Sequence, residues 1–156
     1  MQVDLVAAVP DDLPRLYVWM RQLRAADPME TEEFVPAGLA QAAMERLLNE
    51  PQTGRVWLIH VDGSAVGYIA LTFTFSIEFG GRTAFIDELL IEESCRGRGV
   101  GRRVVEWVID ASKKLGVSNL VLEVSEENER ARRLYRGCGF TDRKYRLMTR
   151  WLGDEE

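Results

Sequence analysis

Apolar and polar residues alternate along much of the first half of the chain, and this period of two predicts β-strands. In the segment 68–79 one face is apolar throughout and the other is mostly polar. Asp62-Gly63 is a typical hairpin turn, and Gly80-Gly81 turns the chain again, so 55–91 is predicted to form an antiparallel meander. The predicted strands of this half are 3–9, 55–61, 68–79 and 84–91.

Two helices are predicted between the first and second strands. Asp11 or Asp12 can cap the first of them, and Pro14 is tolerated in its first turn. The loop 27–36 between the helices is acidic and contains two prolines. The inward faces are predicted to be Leu13, Leu16, Tyr17, Met20 and Leu23 in the first helix, and Leu39, Ala43, Leu47 and Leu48 in the second.

The second half of the chain has a different connection between strands. Apolar residues recur with a helical period through 99–115, which makes a βαβ unit with the strands 84–91 and 119–124, and such strands should be parallel. A short helix after 125–129 and two closing strands, 140–143 and 145–151, complete the sheet. The predicted fold class is therefore α/β (an α+β mixed sheet), with antiparallel N-terminal strands, a central βαβ unit and about four helices.

Composition predicts a single globular domain over residues 1–156. Hydrophobic residues make up 46% of the chain, and no run of about 18 apolar residues is present. We expect no charged–apolar–small leader. Cys95 and Cys138 favour a reducing compartment over a disulfide scaffold, so we expect a cytoplasmic protein with no membrane partner. His60 is the only histidine, which argues against a Cys–His nucleophile and against a metal site.

The net charge of −5 is unevenly divided along the chain. Residues 1–95 carry 15 acids and 6 bases, whereas 96–156 carry 10 acids and 14 bases. A basic second half suits an anionic ligand, and an acidic first half suits a cationic one, although ordinary scatter of surface charge explains the division equally well.

The segment 96–101 is the strongest candidate for binding chemistry. It joins an apolar strand to the start of a helix, where unpaired N–H groups and the helix dipole favour phosphate. Glycines at 97, 99 and 101 permit a close backbone approach, and Arg96 and Arg98 add positive charge. The alternative is a glycine-rich turn with solvated arginines.

Two common phosphate motifs do not match this turn. A P-loop needs a Lys-Ser or Lys-Thr pair after its glycines, and none follows here. A dinucleotide fingerprint counted from Gly97 has Arg102 at its last position in place of glycine, although Glu123 lies where a ribose-binding acid would be expected. The antiparallel strands before the turn leave no room for a second nucleotide-binding half.

Arg96-x-x-Gly99-x-Gly101 resembles the signature of the GNAT superfamily of acetyl-CoA-dependent N-acetyltransferases. The resemblance covers residues 84–152 with its spacing intact, and 147–152 is similar to the last strand of that family. It implies a GNAT-like fold, with parallel strands that splay apart, and acetyl-CoA as the acetyl donor. Its further elements are Leu122-Glu123-Val124, Asn128, Ala131, Leu134-Tyr135 and Gly137-Cys138-Gly139-Phe140.

The resemblance also implies which residues bind the donor. Backbone amides of Leu89, Leu90 and Ile91 are expected to bind the pantetheine arm, although the same residues would serve equally as a core strand. Asn128 is expected to hydrogen-bond pantetheine, the alternative being a helix cap. The diphosphate is expected to contact Arg96, Gly97, Arg98, Gly99, Val100, Gly101 and Arg102.

For the chemistry, Tyr135 resembles the family tyrosine that protonates the leaving sulfur, the alternative being a core tyrosine. The general base is left open between Glu88 and Glu123, each of which could instead pair with an arginine. Asp87 faces opposite to Glu88 on an ideal strand, so both would enter one site only if a bulge intervened.

The acceptor is predicted to be a small cationic amine, approached past acids in 27–33 and at Glu78, Asp87 and Glu88. In the family that the chain resembles, the first two helices overhang this site. Three other hypotheses are a protein N-terminal or lysine acetyltransferase, a non-catalytic acyl-CoA-binding module and an arginine-rich RNA binder. The last lacks interleaved aromatics and has the wrong net charge, so no nucleic-acid partner is expected. A homodimer is left open.

Overall fold

The computed structural model describes residues 1–26 and 35–153 of the chain. Within them, five strands form one sheet in the order β1-β2-β3-β4-β5, and four α-helices accompany it. The predicted acidic loop falls mainly on residues 27–34, outside the described part. The elements are β1 (Val3–Ala7), α1 (Leu13–Ala26), α2 (Ala37–Asn49), β2 (Gly54–Val61), β3 (Ser64–Ser76), β4 (Gly81–Ile91), α3 (Val100–Lys114), β5 (Asn119–Val121) and α4 (Glu129–Gly137).

β2, β3 and β4 form the antiparallel meander predicted for 55–91, and β1 pairs antiparallel with β2 at its edge. Asp62 and Gly63 have φ values of 49° and 84°, so both residues of the β2–β3 turn are left-handed, as a tight hairpin of matching twist requires. The hairpin predicted from Asp62-Gly63 is confirmed.

β4 and β5 are parallel and joined through α3, which confirms the βαβ unit. Their pairing runs only from Thr83 opposite Asn119 to Phe85 opposite Val121. β4 then continues to Ile91 paired only with β3, while β5 has ended. The two strands therefore separate toward the carboxyl end of β4, next to the segment 96–101.

The sheet is buried on both faces. On one face α3 covers a core that includes Ile59, Ile69, Leu71, Ile86 and Val104. On the other face α1 and α2 cover a second core, whose buried members are Leu16, Trp19, Met20, Met44, Val56, Leu58, Tyr68, Ala70 and Leu90. The result is a three-layer arrangement of helices, mixed sheet and helices.

The inward face predicted for α2 is confirmed for Leu47 and Leu48 and wrong for Leu39 and Ala43. Leu39 is 57% exposed and Ala43 is also exposed, whereas Met44 is buried and Ala40 packs beside it. Ala40, Met44, Leu47 and Leu48 continue one helical stripe, so the helix is rotated relative to the prediction.

The two closing strands predicted at 140–143 and 145–151 are absent from the structure, and β5 is shorter than the predicted 119–124. The Arg143 guanidinium is instead bound to Glu78 at 2.9 Å and lies over the rings of Phe79 and Tyr145. Apolar side chains in this segment stay exposed, among them Leu147 at 70%. Among the described helices, none has the length and apolar character needed to cross a membrane.

Candidate active site

The glycine segment 96–101 adopts the left-handed backbone that its sequence indicated. After a 3₁₀ turn at Glu93–Cys95, Gly97 and Gly99 have φ values of 74° and 81°, and α3 begins at Val100. A Cβ built on Gly99 would meet nothing within 4 Å. The turn is therefore open in front of the first N–H groups of α3, where a helix attracts an anion.

Arginine side chains surround this turn in three different ways. Arg96 Nε donates a 2.7 Å hydrogen bond to the Ile91 carbonyl, which folds the turn back onto the end of β4. Arg98 is exposed, and Arg102 forms an exposed pair with Glu106 at 2.9 Å. Arg130 of α4, which sequence reasoning did not single out, approaches the turn as well, since its guanidinium lies 3.5 Å from a Cβ built on Gly97.

Val100 and Gly101 contribute to packing at the same place. The Val100 side chain is 1% exposed and belongs to the core under α3. A Cβ on Gly101 would lie 3.2 Å from Leu134 Cδ2 and 3.6 Å from Ile91 Cδ1, so this glycine lets α3 approach α4 closely. Any role of these two residues toward a ligand rests on their backbone.

The segment Leu89–Ile91 lies where β4 has no β5 beside it. On its other edge it is paired with β3, Leu89 opposite Ile69 and Ile91 opposite Gly67. Backbone groups alternate in direction along a strand, so part of this segment's N–H and C=O groups face the gap between β4 and β5. An extended ligand arm could bind there as an added strand would.

A β-bulge in β4 determines where the acids point. Ala70 of β3 lies opposite Glu88, and the next residue, Leu71, lies opposite Ile86, so Asp87 is the extra residue. Ile86 and Leu89 both contact the core under α3, although an odd separation would otherwise place them on opposite faces. The bulge that would bring Asp87 and Glu88 to one site is therefore present.

Glu88 lies on the face covered by α1 and α2. Leu90, two residues later, is buried in that core, and an even separation keeps Glu88 on the same side. Burial, and then the neighbouring Asp87 carboxylate, raises the pKa of Glu88 to about 7, while Tyr68 and the Arg24 guanidinium oppose this shift. A carboxyl with this pKa can accept and release a proton near neutral pH.

Asp87 is exposed as a residue. Its carboxyl is nevertheless partly desolvated, and this raises its pKa. Two carboxyls of raised pKa on adjacent residues are typical of functional sites. Glu78 does not belong with them. It lies in the turn between β3 and β4, and its carboxylate is paired with Arg143 from the segment after α4. That turn is six β3 residues beyond Ala70, about 20 Å away along the strand.

Two aromatic residues beneath Glu88 were not found from the sequence. Tyr68 is 0% exposed, and Trp19 of α1 stacks on it with ring centroids 6.1 Å apart. Trp19 Nε1 also donates to Glu92 at 3.1 Å. The apolar stripe of α1 that contains Leu16 and Met20 includes position 19 at its side. This pattern in the sequence could have indicated that Trp19 is buried.

Tyr135 and Glu123 line a cleft of about 1070 Å³ between β5, α4 and the segment after it. Among the described residues that line this cleft are neither the acids of β4 nor the residues of the turn at 96–101. The Tyr135 ring is packed edge to face against Phe140, 5.7 Å away. Burial, and then Cys138, raises the pKa of the Tyr135 phenol, which keeps it protonated at neutral pH. Glu123 is exposed, and the structure places it with Tyr135.

Asn128 occupies the capping position of α4. Its Oδ1 accepts a 3.1 Å hydrogen bond from the Ala131 N–H, so the helix cap considered for this residue is present. The cap uses the side-chain oxygen of Asn128. It thereby also fixes the direction of the amide nitrogen of that side chain.

Comparison with known proteins identifies the family of the chain. The model of the acetyltransferase (GNAT) family matches residues 18–140. Mycothiol acetyltransferase from Beutenbergia cavernae is 34% identical over 86 residues, which are 55% of this chain and 28% of that protein. The chain spans 28–45% of the length of the first three curated relatives that it matches.

Solved structures share the fold over nearly the whole chain. An integron cassette protein from the mobile metagenome of Cole Harbour Salt Marsh superposes with a TM-score of 0.79 at 30% identity, covering 97% of this chain and 91% of that one. An aminoglycoside N-acetyltransferase in complex with CoA gives a TM-score of 0.76 at 18% identity, covering 96% and 94%. The family model covers well over half of the sequence, and the chain therefore belongs to the acetyltransferase (GNAT) family.

Proposed function

We propose that the protein transfers the acetyl group of acetyl-CoA to the primary amine of a small cationic acceptor, by direct attack in a ternary complex. The observation that carries the proposal is the separation of β4 from β5 directly beside the left-handed turn at Gly97 and Gly99, in a chain of this family. A phosphate site and an exposed strand edge are thereby adjacent.

The residues present suit the donor. The open turn and the first N–H groups of α3 would hold the diphosphate, with charge from Arg98 and Arg130 nearby. Free backbone groups of Leu89–Ile91 would hold the pantetheine arm. Acetyl-CoA supplies an activated acetyl group as a thioester. Tyr135 holds a proton at its hydroxyl, available to a leaving thiolate of similar basicity.

The acceptor is assigned to the side of the sheet where Asp87 and Glu88 lie. An amine with an ordinary pKa near 10 arrives as a cation, and two adjacent carboxyls attract it and stabilise its charge. It must lose a proton before it can attack, and Glu88 is the carboxyl whose pKa is placed near neutrality. We therefore favour Glu88 over Glu123 as the base.

Thiol release from acetyl-CoA in the presence of a panel of acceptors tests the proposal. The panel contains diamines, aminoglycosides, neutral amines, anionic amino sugars, and peptides with free N-termini or lysines. We expect the fastest release with a small cationic amine and a fall in kcat/KM as salt concentration rises. Preference for a peptide would favour the protein acetyltransferase. Binding of CoA, with no thiol released from acetyl-CoA in the presence of any acceptor, would favour the non-catalytic module.

Substitution of each carboxyl identifies the base. Glu88→Gln should abolish the acid limb of the pH profile of kcat/KM, which in the unmodified protein should rise as pH passes through about 7. Glu123→Gln is the matched control and should keep that limb. The reverse result would assign the base to Glu123 and leave the donor site unaffected.

A further inference from the structure

The hydroxyl of Tyr68 is a polar group in an apolar core. The residue is fully buried between the sheet and α1, among Leu16, Trp19 and Met44. With the described residues, this hydroxyl makes no hydrogen bond of normal geometry. A buried hydroxyl without a partner is costly, and phenylalanine would fill the same space without that cost. The hydroxyl therefore calls for an explanation that packing does not supply.

Strand register places this hydroxyl next to the acids of β4. Tyr68 lies opposite Leu90, and Ala70 lies opposite Glu88, so Tyr68 and Glu88 are diagonal neighbours on one face of the sheet. The stack of Trp19 on the Tyr68 ring, with planes 14° apart, limits where the phenol can move. The bulge at Asp87 turns the acids toward this face at the same level.

We propose that Tyr68 is a positioning residue, whose hydroxyl donates a hydrogen bond to the Glu88 carboxylate when Glu88 is charged and holds that carboxylate toward the acceptor. This inference rests on the proposed function, because it assigns Glu88 as the base. Tyr68 itself does not touch the acceptor, since it is covered by α1.

The charges around Glu88 agree with this role. Burial, and then Asp87 on the same strand, disfavours the charged carboxylate and raises the pKa of Glu88, whereas a hydrogen bond from Tyr68 of β3, and then the Arg24 guanidinium of α1, would lower it. Burial, and then Glu88, raises the pKa of the Tyr68 phenol, so the phenol remains a neutral donor across the working pH range. The phenol would donate a weaker bond to the carbonyl oxygen of the protonated Glu88 carboxyl and a stronger one to the ionised carboxylate.

A direct test follows the titration of the Glu88 carboxyl by ¹³C NMR, in the unmodified protein and in Tyr68→Phe. Loss of the donor should raise the pKa of Glu88 by about one unit, while thermal stability stays unchanged or increases. Tyr17→Phe is the matched control, because Tyr17 packs against the same core from α1, and it should leave the titration in place. An unchanged Glu88 titration in Tyr68→Phe would overturn the inference.

A second measurement keeps the test valid if Tyr68→Phe does not fold. Incorporation of 3-fluorotyrosine at position 68 keeps the shape of the ring and makes the phenol a stronger donor. The pKa of Glu88 should then fall, and an unchanged or raised value would contradict the inference.

Failure of the inference and failure of the proposed function give different results. If Tyr68→Phe moves both the NMR titration and the acid limb of kcat/KM by the same amount, both stand. If only the NMR titration moves, Tyr68 positions Glu88 but Glu88 is not the base. If neither moves although Glu88→Gln abolishes the limb, Glu88 is the base and Tyr68 plays no part.

Discussion

Trp19 Nε1 donates a 3.1 Å hydrogen bond to Glu92 Oε1, across 73 positions of sequence. The bond ties the middle of α1 to the residue that follows β4, immediately before the turn that leads to Gly97 and Gly99. Trp19 is 3% exposed, and its ring lies on Tyr68. One side chain thus connects the helix over the acceptor side, the residue beneath Glu88 and the approach to the phosphate turn.

Replacing Trp19 by phenylalanine removes the hydrogen bond and part of the buried ring. We expect Trp19→Phe to lower the free energy of unfolding by about 1–3 kcal/mol, because a buried aromatic contact and one hydrogen bond to a carboxylate are lost. Urea denaturation measures this change. Trp151→Phe, at a site 49% exposed, is the control and should cost less than about 0.5 kcal/mol. Equal effects of the two substitutions would contradict the role of Trp19.

A second prediction concerns the phosphate turn at Gly99. Any side chain at φ 81° strains the backbone, so Gly99→Glu is compared with Gly99→Gln, which carries the same strain without the charge. We expect the glutamate variant to bind CoA at least roughly 10-fold more weakly than the glutamine variant, because a carboxylate would face the diphosphate. Isothermal titration calorimetry gives both dissociation constants.

Gly116 provides the control for this pair. It has a φ of 72° and open space around it, but it lies beyond the other end of α3. Gly116→Glu should therefore lower the stability of the protein without weakening its binding of CoA. A folded Gly99→Glu protein with unmodified affinity would exclude the turn as the diphosphate site.

A third prediction concerns Tyr135 as the proton donor. Tyr135→Phe should lower kcat by roughly 10²-fold or more, because only the hydroxyl is removed, while the affinity for CoA remains nearly unchanged. Steady-state kinetics and calorimetry separate the two effects. Tyr17→Phe, in α1 and outside the cleft that Tyr135 lines, should keep the full kcat. A kcat unchanged in Tyr135→Phe would leave Tyr135 as a packing residue against Phe140.

Local sequence patterns predicted the elements whose cause is local. The alternation of 68–79, the Asp62-Gly63 hairpin and the helical period after Gly99 each describe a preference of a few neighbouring residues. The structure has the hairpin and the helix, and it has the strand as far as Ser76, after which the chain turns. The strand–turn–helix that carries the candidate phosphate site was predictable for the same reason.

Features that depend on contacts between distant elements were not predictable. The bulge at Asp87 follows from the register of β4 against β3, and the sequence offered only the condition under which it would matter. The rotation of α2 depends on the space beneath it, which accommodates Met44 rather than Leu39. The closing strands were expected in part from the resemblance of 147–152 to the last strand of the family, and Arg143 is held by Glu78 and two aromatic rings instead.

The last prediction uses the buried state of Glu88 to connect stability with pH. The pKa of Glu88 is about 7 in the folded protein and near 4.5 when the carboxyl is fully hydrated. At pH values between these two pKa values, Glu88 binds more protons in the folded protein than in the unfolded chain. The free energy of unfolding must therefore fall as pH rises from about 4.5 to 7, by at most about 3 kcal/mol from this group.

The Glu88→Gln substitution removes this contribution, because a glutamine amide cannot ionise. Urea denaturation at pH 5, 6, 7 and 8 should show that the variant gains stability relative to the unmodified protein as pH rises, with the larger gain at pH 8. The comparison cancels carboxyls that do not interact with Glu88, whereas Asp87, whose own pKa is raised and whose effect has the same sign, is coupled to Glu88. Glu123→Gln, at an exposed carboxyl, should run parallel to the unmodified protein. Parallel curves for Glu88→Gln as well would mean that Glu88 is ionised in the folded protein at pH 5, and it would then be too weak a base to take a proton from an ammonium ion near neutral pH.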